Sequence, residues 1–137
     1  MSLRAINAYQ KDSLKQRIAT ADPHQLTLML MQGALDRLSF AKGAHDRNDV
    51  TARAQFISKA TAIFINLRDT LDTKAGGEFA DNLHDLYDYM IDKLITVNQE
   101  NTISQLDEVI QLFYPIKEAW QQIPEQDKQL AYAQRQA

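Results

Sequence analysis

His84 and Asp88 stand four residues apart, with Asp81 about one helical turn earlier. This spacing would put an imidazole and carboxylates on one helical face. Such a trio could ligate a divalent metal. A metal centre inside a helical bundle, however, draws matched ligands from facing helices, in the di-iron case through paired Glu-x-x-His motifs. No glutamate here has a histidine three residues later. His24, His45 and His84 lie far apart and match no zinc spacing. The trio therefore reads as an exposed polar face, and neither a metal nor a cofactor is expected. There is no cysteine, so thiol nucleophiles, zinc–thiolate sites and disulfides are excluded. No Gly-x-x-x-x-Gly-Lys loop and no Gly-x-Gly-x-x-Gly turn is present. Serine, histidine and aspartate occur without a context that would set a base against a nucleophile. The chain is expected to catalyse nothing.

Chemistry of binding is better represented. In the segment Leu26 to Met31, LTLMLM, five of six residues are apolar. At 100° per residue, Leu26, Leu30, Ala34, Leu38 and Ala41 form a stripe wide enough for one core. Leu28, Met29 and Leu35 fall well off its centre, and Met31 falls at its edge. Two readings stay open: a helix buried on several sides, or an apolar groove for a partner helix. Methionine suits a surface that adapts to its partner. Ile65, Ile95, Leu112 and Tyr114 likewise fall off or at the edge of their stripes. A partner-binding surface is expected to draw on Leu28, Met31, Leu35, Ile65, Ile95 and Leu112, with Lys59 and Asn82 as polar anchors. Tyr9 is expected to plug part of that surface reversibly in the free chain. Glu78, Asp81, Asp85, Asp88 and Asp92 recur every three or four residues. They read as a solvated outer face, with a docking surface for a basic partner as the rival.

The elements that must position these residues are helices. The chain has 137 residues, 45% apolar and 24% charged, which suits one globular domain with its own core. A net charge of −3 without a Lys/Arg cluster argues against nucleic-acid binding. No apolar run approaches the roughly 20 residues that span a bilayer. The first residues lack the apolar stretch of a signal peptide. A cytoplasmic protein without membrane insertion is expected.

Asp22-Pro23, with Gln25 after it, marks a helix start through a side-chain cap and a proline at the first position. That helix should run from about Pro23 to about Asp46, weakened near its end by Gly43. Asn48-Asp49 offers the next cap, for a second helix from about Val50 to Thr73 with Phe56, Ile57, Ala60, Ile63, Phe64, Leu67 and Leu71 on its inner face. Gly76-Gly77 should end it. The third helix should span about Glu78 to Gln99, with Phe79, Leu83, Leu86, Tyr87, Met90, Leu94 and Val97 inside. Thr102 and Gln105 fit a capping box for the fourth, whose inner stripe is Leu106, Val109, Ile110, Phe113, Ile116 and Trp120. Pro115 predicts a kink or a one-turn break there, and Pro124 an end. Helices of this size are roughly 30–36 Å long. Short connections force antiparallel neighbours. The fold class is thus all-α: an antiparallel up-down-up-down four-helix bundle over 19–124, an N-terminal arm over 1–18 and a polar tail over 125–137.

The same residues resemble a known family. Tyr9, Thr20-Ala21-Asp22-Pro23-His24-Gln25-Leu26 and Leu30-Met31-Gln32-Gly33-Ala34-Leu35 are similar to the FliS flagellin chaperones. The likeness continues through Ala41-Lys42, Lys59-Ala60, Ile63, Leu67, Leu71-Asp72, Gly76-Gly77, Asn82-Leu83, Leu86-Tyr87-Asp88-Tyr89-Met90, Leu94, Asn98, Val109 and Ala119-Trp120. Asp22 stands where the family often has Ser, and Met31-Gln32 where it often has Tyr-Asp. The resemblance implies a four-helix bundle with its N-terminal segment folded over it. It implies cytosolic binding of the flagellin C-terminal segment, which prevents premature polymerisation and aids delivery to the flagellar export apparatus. The export gate and an anti-sigma factor are further candidate partners. A regulatory adaptor that binds an anti-sigma factor or another flagellar regulator is the competing reading, and a small-ligand bundle a third, weakened by the missing ligand pair.

Overall fold

The computed structural model describes residue 5 and the stretches 23–100 and 103–122. Tyr9 and the rest of the arm apart from Ala5, the Asp22 cap, Thr102, Pro124 and the 125–137 tail lie outside the described residues. Four helices follow one another: α1 Pro23–Asp46, α2 Val50–Asp69, α3 Thr73–Glu100 and α4 Ile103–Gln122. Each packs on its neighbours in chain order, and α4 closes the ring against α1. Cross-helix bonds fix the directions. Arg68 near the end of α2 reaches Asp88 near the middle of α3, while Ser58 in the first half of α2 meets Asn98 near the end of α3. Lys42 near the end of α1 pairs with Asp107 near the start of α4 at 2.7 Å. The result is an all-α bundle with antiparallel neighbours.

The α1–α2 turn shows how the sequence sets a boundary. Asn48 takes φ 59°, a left-handed conformation that asparagine tolerates well. The Asp49 N–H then donates to the Ala44 carbonyl at 2.8 Å and the Asn48 N–H to the His45 carbonyl at 3.0 Å, which satisfies the end of α1. The Asp49 carboxylate accepts from the Ala52 N–H at 3.0 Å and caps α2. Both helix starts, at Pro23 and Val50, agree with the sequence reading.

The α2–α3 connection differs from it. Helix α2 stops at Asp69, with Thr70 as its cap, rather than at Thr73. The break at Gly77 is present, but it lies within α3: φ 55°, ψ −135° separates a first turn from the long segment beyond. That conformation is open to glycine and strained for any residue with a Cβ. Helix α4 runs on through Pro115 without a break.

The buried face of α1 is rotated toward Met31 and Leu35. Thr27, Met31, Ala34, Leu38 and Ala41 recur at 3-and-4 spacing, and all are at most 1% exposed. Leu26 and Leu30 are half-buried at its edge. In α3, Ala80, Leu83, Tyr87, Met90, Ile91, Leu94 and Val97 face the core, whereas Phe79 and Leu86, expected inside, are 45% and 38% exposed. Phe64, Tyr87 and Phe113, from α2, α3 and α4, meet at the centre. The Phe64 and Phe113 rings are 4.7 Å apart at 87°, an edge-to-face pair. Phe64→Ala should cost about 3–5 kcal/mol in a denaturant titration. Gly77→Ala should cost about 1–3 kcal/mol through the backbone alone, because a Cβ at Gly77 would meet nothing within 4 Å.

Candidate functional site

Helix α3 borders two surface grooves. The first lies between α2 and α3. Thr61, Ala62 and Ile65 line it from one side, Ile95 and Asn98 from the other. Spacings of three and four residues put these on one ridge of each helix. Ile65 and Ile95 are 36% and 44% exposed, as expected of residues outside the core stripes. Asn98 fixes the floor: its amide donates to the Ala54 carbonyl at 3.4 Å and to Ser58 Oγ at 3.3 Å. Its Oδ1 is buried without a hydrogen-bond partner among the described residues. Ser58 also borders a shallow depression with Lys59, whose ammonium lies 5.9 Å from the Phe56 ring centroid.

The second groove lies between α3 and α4. It holds an apolar cavity of about 160 Å³ bounded by Phe79, Asn82, Leu83 and Leu86 of α3 and by Ile116 and Trp120 of α4. None of these residues is charged. Farther along, the Tyr89 hydroxyl donates to Glu108, and this hydrogen bond raises the Tyr89 phenol above its ordinary range.

The proposed client residues therefore divide. Ile65 and Ile95 meet in the first groove, with Lys59 beside it, and Asn82 belongs to the second. Leu28 and Leu112 are partly buried and pack on the core. Met31 and Leu35 are core residues, at 0% and 7% exposure, which corrects their assignment to a separable surface. The reason is the shift of the α1 stripe: Met31 follows Thr27 by four residues and precedes Leu38 by seven, so it shares their inward face. Tyr9 is outside the described residues. The α3–α4 cavity went unrecognised because Phe79 and Leu86 sit close enough to the inner stripe to be read as part of it.

The polar cluster on α3 has a different character. His84, Asp85 and Asp88 bring potential ligand atoms within 4.8 Å of one another, and Asp81 is not in the group. Asp88 already accepts from Arg68 Nη1 at 2.8 Å, and this bond, followed by that to Asp69, pushes the guanidinium further up from its ordinary value. The Asp88 charge thus meets a cation supplied by α2. Among the described residues, no helix is long and apolar enough to cross a membrane.

A surface of lengthwise grooves between helices suits capture of helical or extended segments of another protein. The model of one family, flagellar protein FliS, matches residues 5–127. The chain belongs to the FliS family. Relatives support this along most of its length. It is 41% identical over 119 residues to flagellar secretion chaperone FliSB of Pseudomonas aeruginosa, covering 87% of this chain and 94% of that protein. It is 36% identical over 130 residues to flagellar secretion chaperone FliS of Vibrio cholerae, covering 95% and 96%. With the FliS chaperone of Salmonella typhimurium it shares 42% over 119 residues, covering 86% and 88%.

The separation of groove from core is testable without a partner. Ile65→Asp and Ile95→Asp should each shift unfolding stability by about half a kcal/mol or less. Met31→Ala should cost about 2–5 kcal/mol. Matched urea titrations of the three variants would check this, and equal losses at all three sites would contradict the assignment.

Proposed function

We propose that this FliS-family chain is a secretion chaperone that binds the C-terminal segment of unassembled flagellin in the cytoplasm. The client lies along the α2–α3 groove and is handed from there to the flagellar export apparatus. The observation that carries the reading is the exposed Ile65–Ile95 pair facing across one groove in a chain of this family. The mechanism is masking and needs no chemical step. Apolar flagellin faces that would pair within a filament are held against Ile65 and Ile95, and burial of that apolar area drives the association. Asn98 and Ser58 give the groove a polar floor, and Lys59 stands at its rim to meet a client carboxylate or backbone carbonyl.

A charge in this groove must lose its hydration when the client docks, at a cost of several kcal/mol. That weakens binding by orders of magnitude. The double change Ile65→Asp with Ile95→Asp should therefore keep cooperative melting and abolish capture of a purified flagellin C-terminal segment in titration calorimetry. Retained affinity in a folded double variant would place the client elsewhere on the bundle.

A further inference from the structure

Helix α3 carries a second seam that the core does not use. Its inward stripe includes Leu83, Tyr87, Met90, Leu94 and Val97. Beside it run Phe79, Asn82, Leu86 and Tyr89, spaced by three, four and three residues, and all four are exposed. This is the spacing of the apolar positions of a coiled-coil heptad, with one asparagine among them. The seam is about 15 Å long at 1.5 Å per residue, or close to three turns. At its start, the apolar cavity between α3 and α4 adds a recess of about 160 Å³. An engineered cavity of about 150 Å³ holds a benzene ring, so this one has room for a large apolar side chain.

The flank of the seam is charged in register with it. Glu78 and Asp85 each precede a seam residue, Phe79 and Leu86, by one position, and Asp92 continues the same seven-residue repeat. In a helix pair these are positions whose charges choose the partner. All three are exposed. None has an ion-pair partner among the described residues, whereas Asp88 is met by Arg68 and Glu108 by Lys93. This line of exposed carboxylates beside an uncharged apolar recess specifies its complement.

We propose that the Phe79–Asn82–Leu86–Tyr89 seam of α3, with the adjoining α3–α4 cavity, docks an amphipathic helix of a partner protein that bears Lys or Arg along one edge of its apolar face. One large apolar side chain of that helix fills the recess over Trp120. Its basic residues pair with Glu78, Asp85 and Asp92. This surface lies on the opposite flank of α3 from the Ile65–Ile95 groove, so both can be occupied at once, and the proposal stands or falls independently of the flagellin reading.

Trp120 is the only tryptophan of the chain and lines the cavity, so its fluorescence reports occupancy directly. The probe is a synthetic amphipathic helix of leucine and lysine, about four turns long, without aromatic residues, compared with the same helix carrying glutamate for lysine. The lysine helix should change Trp120 emission saturably and bind more weakly as salt rises. Leu86→Glu should weaken it about tenfold or more, while Ile95→Asp should leave it unchanged. The double charge reversal Glu78→Lys with Asp85→Lys alters no apolar residue and should transfer preference to the glutamate helix. Equal binding of the two helices to the unaltered chain, loss of binding in Ile95→Asp, or an unchanged preference after the charge reversal would each overturn the proposal.

Discussion

The edge-to-face contact of Phe64 with Phe113, closed into a triangle by Tyr87, is the constraint around which the bundle is arranged. Each ring comes from a different helix, and all three are fully buried. Large rings at one level fix how α2, α3 and α4 are turned about their own axes, because a packed interior tolerates little rotation of such side chains. Once these turns are fixed, the remaining surface of each helix is determined. Ile65 follows Phe64 by one residue and falls about 100° away from the core, on the α2–α3 groove. Leu86 precedes Tyr87 by one residue and falls to the opposite flank of α3. The two grooves are thus a consequence of the same three rings.

Polar contacts refine this arrangement. Arg68 with Asp88 and Asn98 with Ser58 tie α2 to α3 at two levels, and Lys42 with Asp107 ties α1 to α4. The Lys42 ammonium is raised from its ordinary value by the hydrogen bond to Asp107. The two ion pairs are partly exposed, so they contribute register more than stability. A bundle whose stability resides in its centre can present apolar groove residues such as Ile65 and Ile95 without depending on them, as the proposed capture and release of a client requires.

Much of this was legible in the residues. Helix starts at Pro23 and Val50 followed from local capping chemistry, which short stretches of sequence carry in full. The inner faces of α2 and α4 followed from clear periodicity around Phe64 and Phe113. In α1 the expected Ala34, Leu38 and Ala41 are buried, but Thr27 and Met31 take the places expected of Leu26 and Leu30, because LTLMLM is apolar on nearly every side, so its period has no sharp direction, while the buried His24 and Thr27 give no apolar signal. In α3 the stripe was centred on large residues. Phe79 and Leu86 were drawn inward by size, although the small Ala80 occupies the core position. Ile65 and Ile95 stand out in the sequence as members of one off-stripe surface, but that they face each other across the α2–α3 groove depends on the rotation of two helices, which neither helix encodes alone. Helix α2 ends before the point that Gly76-Gly77 suggests, because Thr70 already caps it and Gly77 bends α3.

Backbone amide exchange of the chain, alone and saturated with a purified flagellin C-terminal segment, tests the central claim most directly. The account predicts added protection concentrated at residues 58–65 of α2 and 95–99 of α3, with the amides around Phe64, Tyr87 and Phe113 already slow to exchange in the free chain. Protection confined to α1 or α4, or a core that exchanges freely until the client binds, would contradict it.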